Sequence, residues 1–141
     1  MENTLKGLEE RRRVLYKKMV EVGDFRRGTI SANYRKCGKS NCACTKSGHP
    51  GHGPQYLWNT TIKGKSYAKN LKLGPELQKY IEEIANHRKF VALCDELVEL
   101  NEKVCDLRPI PAIEGKEEQE ELKKKLEQHF RKRLRRKWTE S

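Results

Sequence analysis

Three cysteines and two histidines fall within residues 34–54, YRKCGKSNCACTKSGHPGHGP. Thiols and imidazoles at that density can form a nucleophile with its base, a redox pair, a disulfide or a metal site. The spacing is C-x4-C-x-C over Cys37, Cys42 and Cys44, followed by His49 and His52. A redox dithiol usually takes C-x-x-C at a helix start, which this is not. A cysteine nucleophile needs a base and a group that orients the base. His49 and His52 could be bases, but no carboxylate stands nearby in sequence to steer them. A disulfide leaves one of the three thiols over and belongs to an oxidising compartment. Three cysteines and one histidine, by contrast, are a common tetrahedral zinc set. Cys42 and Cys44, two apart on an extended chain, would face one ion together, and Gly38 with Ser40-Asn41 permits a tight return from Cys37. We take Cys37, Cys42, Cys44 and His52 as the ligands and Zn2+ as the metal. His52 is preferred to His49 because it stands just before a strand, where the His-Gly-Pro corner would fix its ring.

The surroundings of this cluster carry one sign of charge. Between Phe25 and Pro75 there is no Asp or Glu, whereas ten Lys/Arg occur. The chain has 31 basic and 20 acidic residues, net +11, so 21 basic against 20 acidic residues remain elsewhere, close to balance. A stretch that excludes acids favours a polyanionic partner. Phosphate contacts are therefore assigned to Arg26, Arg27, Arg35, Lys36, Lys39, Lys63, Lys65 and Lys69, on one uninterrupted cationic face presented by the metal-tethered loop. Tyr34, Tyr56, Trp58 and Tyr67 lie among these charges; they would stack on unpaired bases or pack the sheet against a helix. Asn59, Thr60, Thr61 and Ser66 would add base-edge contacts if they share the right face. The segment has no carboxylate for acid–base work or hard-metal binding and no phosphate-cradling glycine loop. The expectation is a protein that is not an enzyme.

Several elements must position these residues. Leu5, Leu8, Leu15, Met19 and Val22 predict a helix over 3–23, with Asn3 or Thr4 as cap and Gly23 as stop. Residues 28–36 predict a strand, and YLWNTTI and SYAKNLKL a hairpin over 56–73 turned by Gly64. Pro75 opens a long helix that the Arg-Pro-Ile-Pro run stops at Leu107. Phe90, Leu93, Leu97, Leu100, Val104 and Leu107 repeat at alternating spacings of 3 and 4, as in a coiled-coil seam. After a linker over 109–115, a helix from Lys116 onward has an acidic start and a basic end, which complements its dipole. Its end, RKRLRRKW, contains Arg131, Arg133, Arg135 and Arg136 and reads equally as a nucleic-acid-binding arm or a solvated helix end.

The expected fold class is α+β: a small zinc-stabilised three-stranded antiparallel sheet flanked by long helices forming an antiparallel coiled-coil-like pair, plus a C-terminal basic helix. The division is a core over 1–108, the linker, and a tail over 116–141. With 35% hydrophobic and 36% charged residues and a mean hydropathy of -0.97, the composition argues against a large core. No apolar run approaches the ~18 residues of a membrane span, and the start lacks a secretory signal, so a cytoplasmic protein is expected.

At YRKCGKSNCAC…HGPQYLW…GKSY the sequence resembles an uncharacterised family of small basic prokaryotic proteins. They share a Tyr-Arg-x-Cys-Gly-Lys start, here Tyr34–Lys39, then Cys-x-Cys at Cys42 and Cys44, and a His-Gly-Pro turn at His52–Pro54. The resemblance spans Leu8 to Leu107 and implies the same four-residue set, with His49 outside it. Members of that family often lie near mobile-element genes. The hairpin and following helix also resemble three-stranded DNA-binding modules of some integrases. Together these imply a zinc-stabilised nucleic-acid-binding accessory protein, DNA or RNA, of a mobile element or a recombination or nuclease complex. The alternative is an adapter that joins a larger nucleoprotein assembly, or a second copy of itself, through its helical seams.

Overall fold

The computed structural model describes residues 3–139, with side chains through Arg133. It forms two compact units, divided between Leu107 and Arg108. In the first, Thr4 caps α1 (Leu5–Glu21) by accepting from the Gly7 amide at 3.1 Å. The helix ends two residues before Gly23: Val22 turns extended, and its amide closes on the Met19 carbonyl.

The chain then crosses to α2 (Pro75–Leu107). Arg26 N–H donates to the Glu83 carbonyl at 3.2 Å, Asn86 Nδ2 donates to the Asp24 carbonyl at 2.9 Å, and Phe25 stacks on Phe90. This places β1 (Thr29–Arg35) beside β2 (His52–Ile62), which pairs in turn with β3 (Lys65–Leu71); the sheet is antiparallel in the order β1-β2-β3. The β2–β3 turn has two residues at positive φ, Lys63 at 51° and Gly64 at 79°, the pattern of a type I′ hairpin.

One apolar stripe along α2 serves two partners. Its first turns present Leu77 and Tyr80 to the sheet, where they pack with Leu71, Ile30, Tyr56 and Trp58. Its later turns present Leu93, Leu97, Leu100 and Val104 to Leu8 and Leu15 of α1, in a cluster joined by Leu5, Met19 and Val22. The bonds from Arg12 to Asn101 and from Asn86 to Asp24 set α1 antiparallel to α2. Arg12, which breaks the stripe of α1, donates its Nη1 to Asn101 Oδ1 at 3.1 Å.

The sequence places the second strand at Tyr56, yet β2 begins four residues earlier. His-Gly-Pro-Gln has the composition of a loop, but these residues pair with the end of β1. The second unit contains α3 (Lys116–Thr139), whose Leu122, Leu126 and Phe130 are exposed. Among the described residues no helix is long and apolar enough to cross a membrane.

Candidate metal centre

Both ends of the β1–β2 connection are anchored by the sheet. Arg35 pairs with His52 across an irregularity that begins after Asn33, so Cys37, two residues beyond Arg35, comes back to His52 at the head of β2. The approach depends on Gly51. It is buried at a φ of +103°, and a Cβ there would lie 2.6 Å from the Arg35 carbonyl carbon. Between these anchors the chain winds through successive short turns. Cys42 N–H donates to the Lys39 carbonyl, Thr45 N–H to Cys42 and Lys46 N–H to Ala43, and residues Ala43–Thr45 form one turn of 3-10 helix. Cys42 is extended but Cys44 lies in that turn. The two sulfurs therefore converge by a tight coil rather than by strand alternation.

The reactive atoms of Cys37, Cys42, Cys44 and His52 all lie within 4.8 Å of one another. The Cys37 and Cys44 sulfurs are 3.5 Å apart, and Cys42 Sγ lies 3.1 Å from His52 Nε2. Three thiols and an imidazole converging on one point could hold a metal ion. Cys44 is fully buried, and its sulfur also accepts from the Cys37 amide at 3.5 Å. A backbone hydrogen bond from Lys39, with the Cys44 side chain, lowers the Cys37 thiol from its ordinary pKa. At Cys44 the Cys37 amide acts in the same direction, but burial and the neighbouring thiols of Cys37 and Cys42 outweigh it and push the pKa up. His49 stands outside the cluster, its Nδ1 accepting from the Gly51 amide at 2.9 Å. All five cysteines are free thiols.

The basic residues divide into two groups. Arg26 and Lys69, expected on phosphate, are held by side chains of α2, Arg26 half-buried and Lys69 exposed. Arg26 Nε donates to Glu83 Oε1 at 2.8 Å, and its guanidinium lies 3.8 Å from the Tyr80 ring centre and 5.0 Å from that of Trp58. Lys69 Nζ donates to the Tyr80 hydroxyl at 3.1 Å. Arg27, Arg35, Lys36, Lys39, Lys63 and Lys65 are exposed, and among the described residues none is in an ion pair. Arg131 and Arg133 are exposed on α3, Arg131 at 4.0 Å from Glu127; the side chains of Arg135 and Arg136 lie outside the described residues.

The single cationic face expected of the sheet is not what the register produces. Trp58 pairs with Ile30 and Lys69, and Tyr56 with Ala32 and Leu71, so these alternate onto the face that meets α2. Trp58 packs there edge-on to Tyr80, with Nε1 donating to the Arg27 carbonyl at 3.0 Å. Thr60 is buried on that side. The opposite face collects Thr29, Ser31, Asn33, Gln55, Leu57, Asn59, Thr61, Ser66, Ala68 and Asn70, none of them charged or aromatic, and at its loop end Arg35, two residues on from Asn33 and paired with His52. The sequence reading included Asn59, Thr61 and Ser66 but missed their neighbours, which only the pairing register identifies. The cations stand around this face: Arg35, Lys36 and Lys39 at the loop end, Lys63 at the hairpin tip, and Arg27 beside β1.

No curated protein and no solved structure matches the chain. The family model described as Domain of unknown function (DUF6788) matches residues 5–83, more than half of the chain and all of the sheet and cysteine loop, and the chain belongs to that family.

Proposed function

We propose that the chain is a non-catalytic nucleic-acid-binding accessory protein whose loop and sheet are held by one Zn2+ on Cys37, Cys42, Cys44 and His52. The observation that carries this is the convergence of those four side chains within a segment that has no acidic residue. Zinc bonds of ~2.3 Å to sulfur and ~2.0 Å to nitrogen set tetrahedral ligand atoms roughly 3.5–3.8 Å apart. The separations of 3.1 and 3.5 Å and the outer limit of 4.8 Å bracket that spacing. The loop buries only Cys44 and Gly51, too little to hold it by apolar contact. Structural zinc contributes on the order of 10 kcal/mol to such a segment. Three thiolates around Zn2+ leave a net charge of about −1, which Arg35, Lys36 and Lys39 offset with cations to spare.

Arg27, Arg35, Lys36, Lys39, Lys63 and Lys65 are the cations free to meet phosphate. Arg131 and Arg133 would add to them if the C-terminal helix takes part. A role beside a mobile element rests on the sequence resemblance alone. The adapter alternative has less to support it, because the stripes of α1 and α2 bury one another. The test is a double variant of the full chain, Lys63→Glu with Lys65→Glu, titrated by fluorescence anisotropy against mixed-sequence DNA and RNA at stepped salt. Wild-type affinity should fall linearly with salt on logarithmic axes, and the variant should bind about tenfold more weakly or worse. Equal binding by both proteins would remove the reading.

A further inference from the structure

We infer that the open face of the sheet, uncharged except at its loop end, reads base edges in the major groove of duplex DNA. This rests on the nucleic-acid reading above and names its ligand. The solvent face of an antiparallel sheet is ordinarily polar, but ordinary protein surface mixes charges of both signs. Here three strands present amides, hydroxyls, Leu57 and Ala68, with a charge only at the loop end, where Arg35 closes β1. Carboxamides pair bidentately with adenine, hydroxyls reach either kind of base, and small apolar side chains meet the thymine methyl. Two carboxamides are already tied in place: Asn33 Nδ2 and Asn59 Nδ2 both donate to Ser31 Oγ at 3.3 Å. Arg27, the side chain suited to guanine, lines one shallow depression with Asn59, Thr61 and Ser66.

The same face disfavours the other nucleic acids. Single strands are held on aromatic platforms, and Tyr56 and Trp58 alternate onto the covered face, where they pack with Leu77 and Tyr80 of α2. The major groove of A-form RNA is too deep and narrow for side chains to read. Three strands at ~4.8 Å spacing place their outer backbones roughly 10 Å apart, within the ~12 Å width of the B-DNA major groove. The cations around the face would then lie toward the phosphates that border the groove.

The experiment is selection of duplex DNA from a random-core library by the full chain. It is repeated with Asn59→Ala and with Asn70→Ala, each checked for an unchanged thermal transition. Competition with single-stranded DNA and duplex RNA is run alongside. The wild type should enrich a short motif and prefer duplex DNA. Each variant should lose about tenfold or more of its discrimination at one or two base positions, with the salt dependence of binding unchanged. Duplex binding without any enriched motif, a motif both variants retain, or tighter capture of single strands or RNA overturns the inference and leaves the nucleic-acid reading standing. Absence of binding to every probe overturns both.

Discussion

Glu83 shows how one side chain reassigns another. It is buried on α2 and accepts from Lys79 at 2.6 Å and from Arg26 at 2.8 Å. The Lys79 ammonium, helped by the Arg26 guanidinium, holds its carboxyl below the usual carboxylate range although burial pushes the other way. Because the folded pKa lies below the unfolded one, this group stabilises the fold above the unfolded carboxylate range. The contribution is lost as pH falls through the folded pKa. Glu83→Gln should therefore be less stable than wild type at pH 7, with the gap between their melting temperatures closing as pH drops below about 4.5. Lys63 offers the opposite case. A non-glycine residue at φ 51° is strained, and asparagine suits the first central position of this turn. Lys63→Asn should raise stability by about 1 kcal/mol, read as a higher denaturant midpoint at unchanged slope. At this scale the cysteine–histidine cluster was legible, because residue type and spacing restrict what thiols and imidazoles can do. Arg26 could not be told from Arg27, since the difference is a carboxylate 57 residues further on.

Helices were legible from their apolar period, and strands less so. The stripe of α2 predicts its buried residues from Leu93 to Val104 well, because the spacing belongs to the helix itself. Leu100 is 4% exposed in the shared cluster with α1. Leu100→Ala should cost about 2–5 kcal/mol of unfolding free energy, measured by urea denaturation. The early start of β2 was hidden, since Gly51, Gly53 and Pro54 signal a loop locally and only pairing with β1 makes the stretch a strand. The same hidden pairing positions His52. Gly51→Ala should drive its Cβ into the Arg35 backbone and loosen the cysteine–histidine cluster more than the helical core. The expected result is zinc lost to a weak chelator while helical circular dichroism persists.

Across the whole molecule, the imbalance of charge was plain in the sequence, but its placement was not. A segment without acids says that an anion is welcome. It does not say which face of a sheet meets it, and here Glu83 and Tyr80 of α2 engage Arg26 and Lys69 while the open side carries charge only at its loop end. The six remaining cations should give binding a steep salt dependence, each phosphate contact contributing ~0.9 to the logarithmic slope. Anisotropy titrations of Lys63→Asn should show a slope shallower by about one contact. All of this depends on the loop that links β1 to β2 being tied down by an ion. Native mass spectrometry of the full chain, purified without added zinc, asks this directly. One zinc per chain, lost in Cys42→Ser together with the order of the loop, is the predicted result; a wild-type chain that is fully folded and free of metal would contradict it.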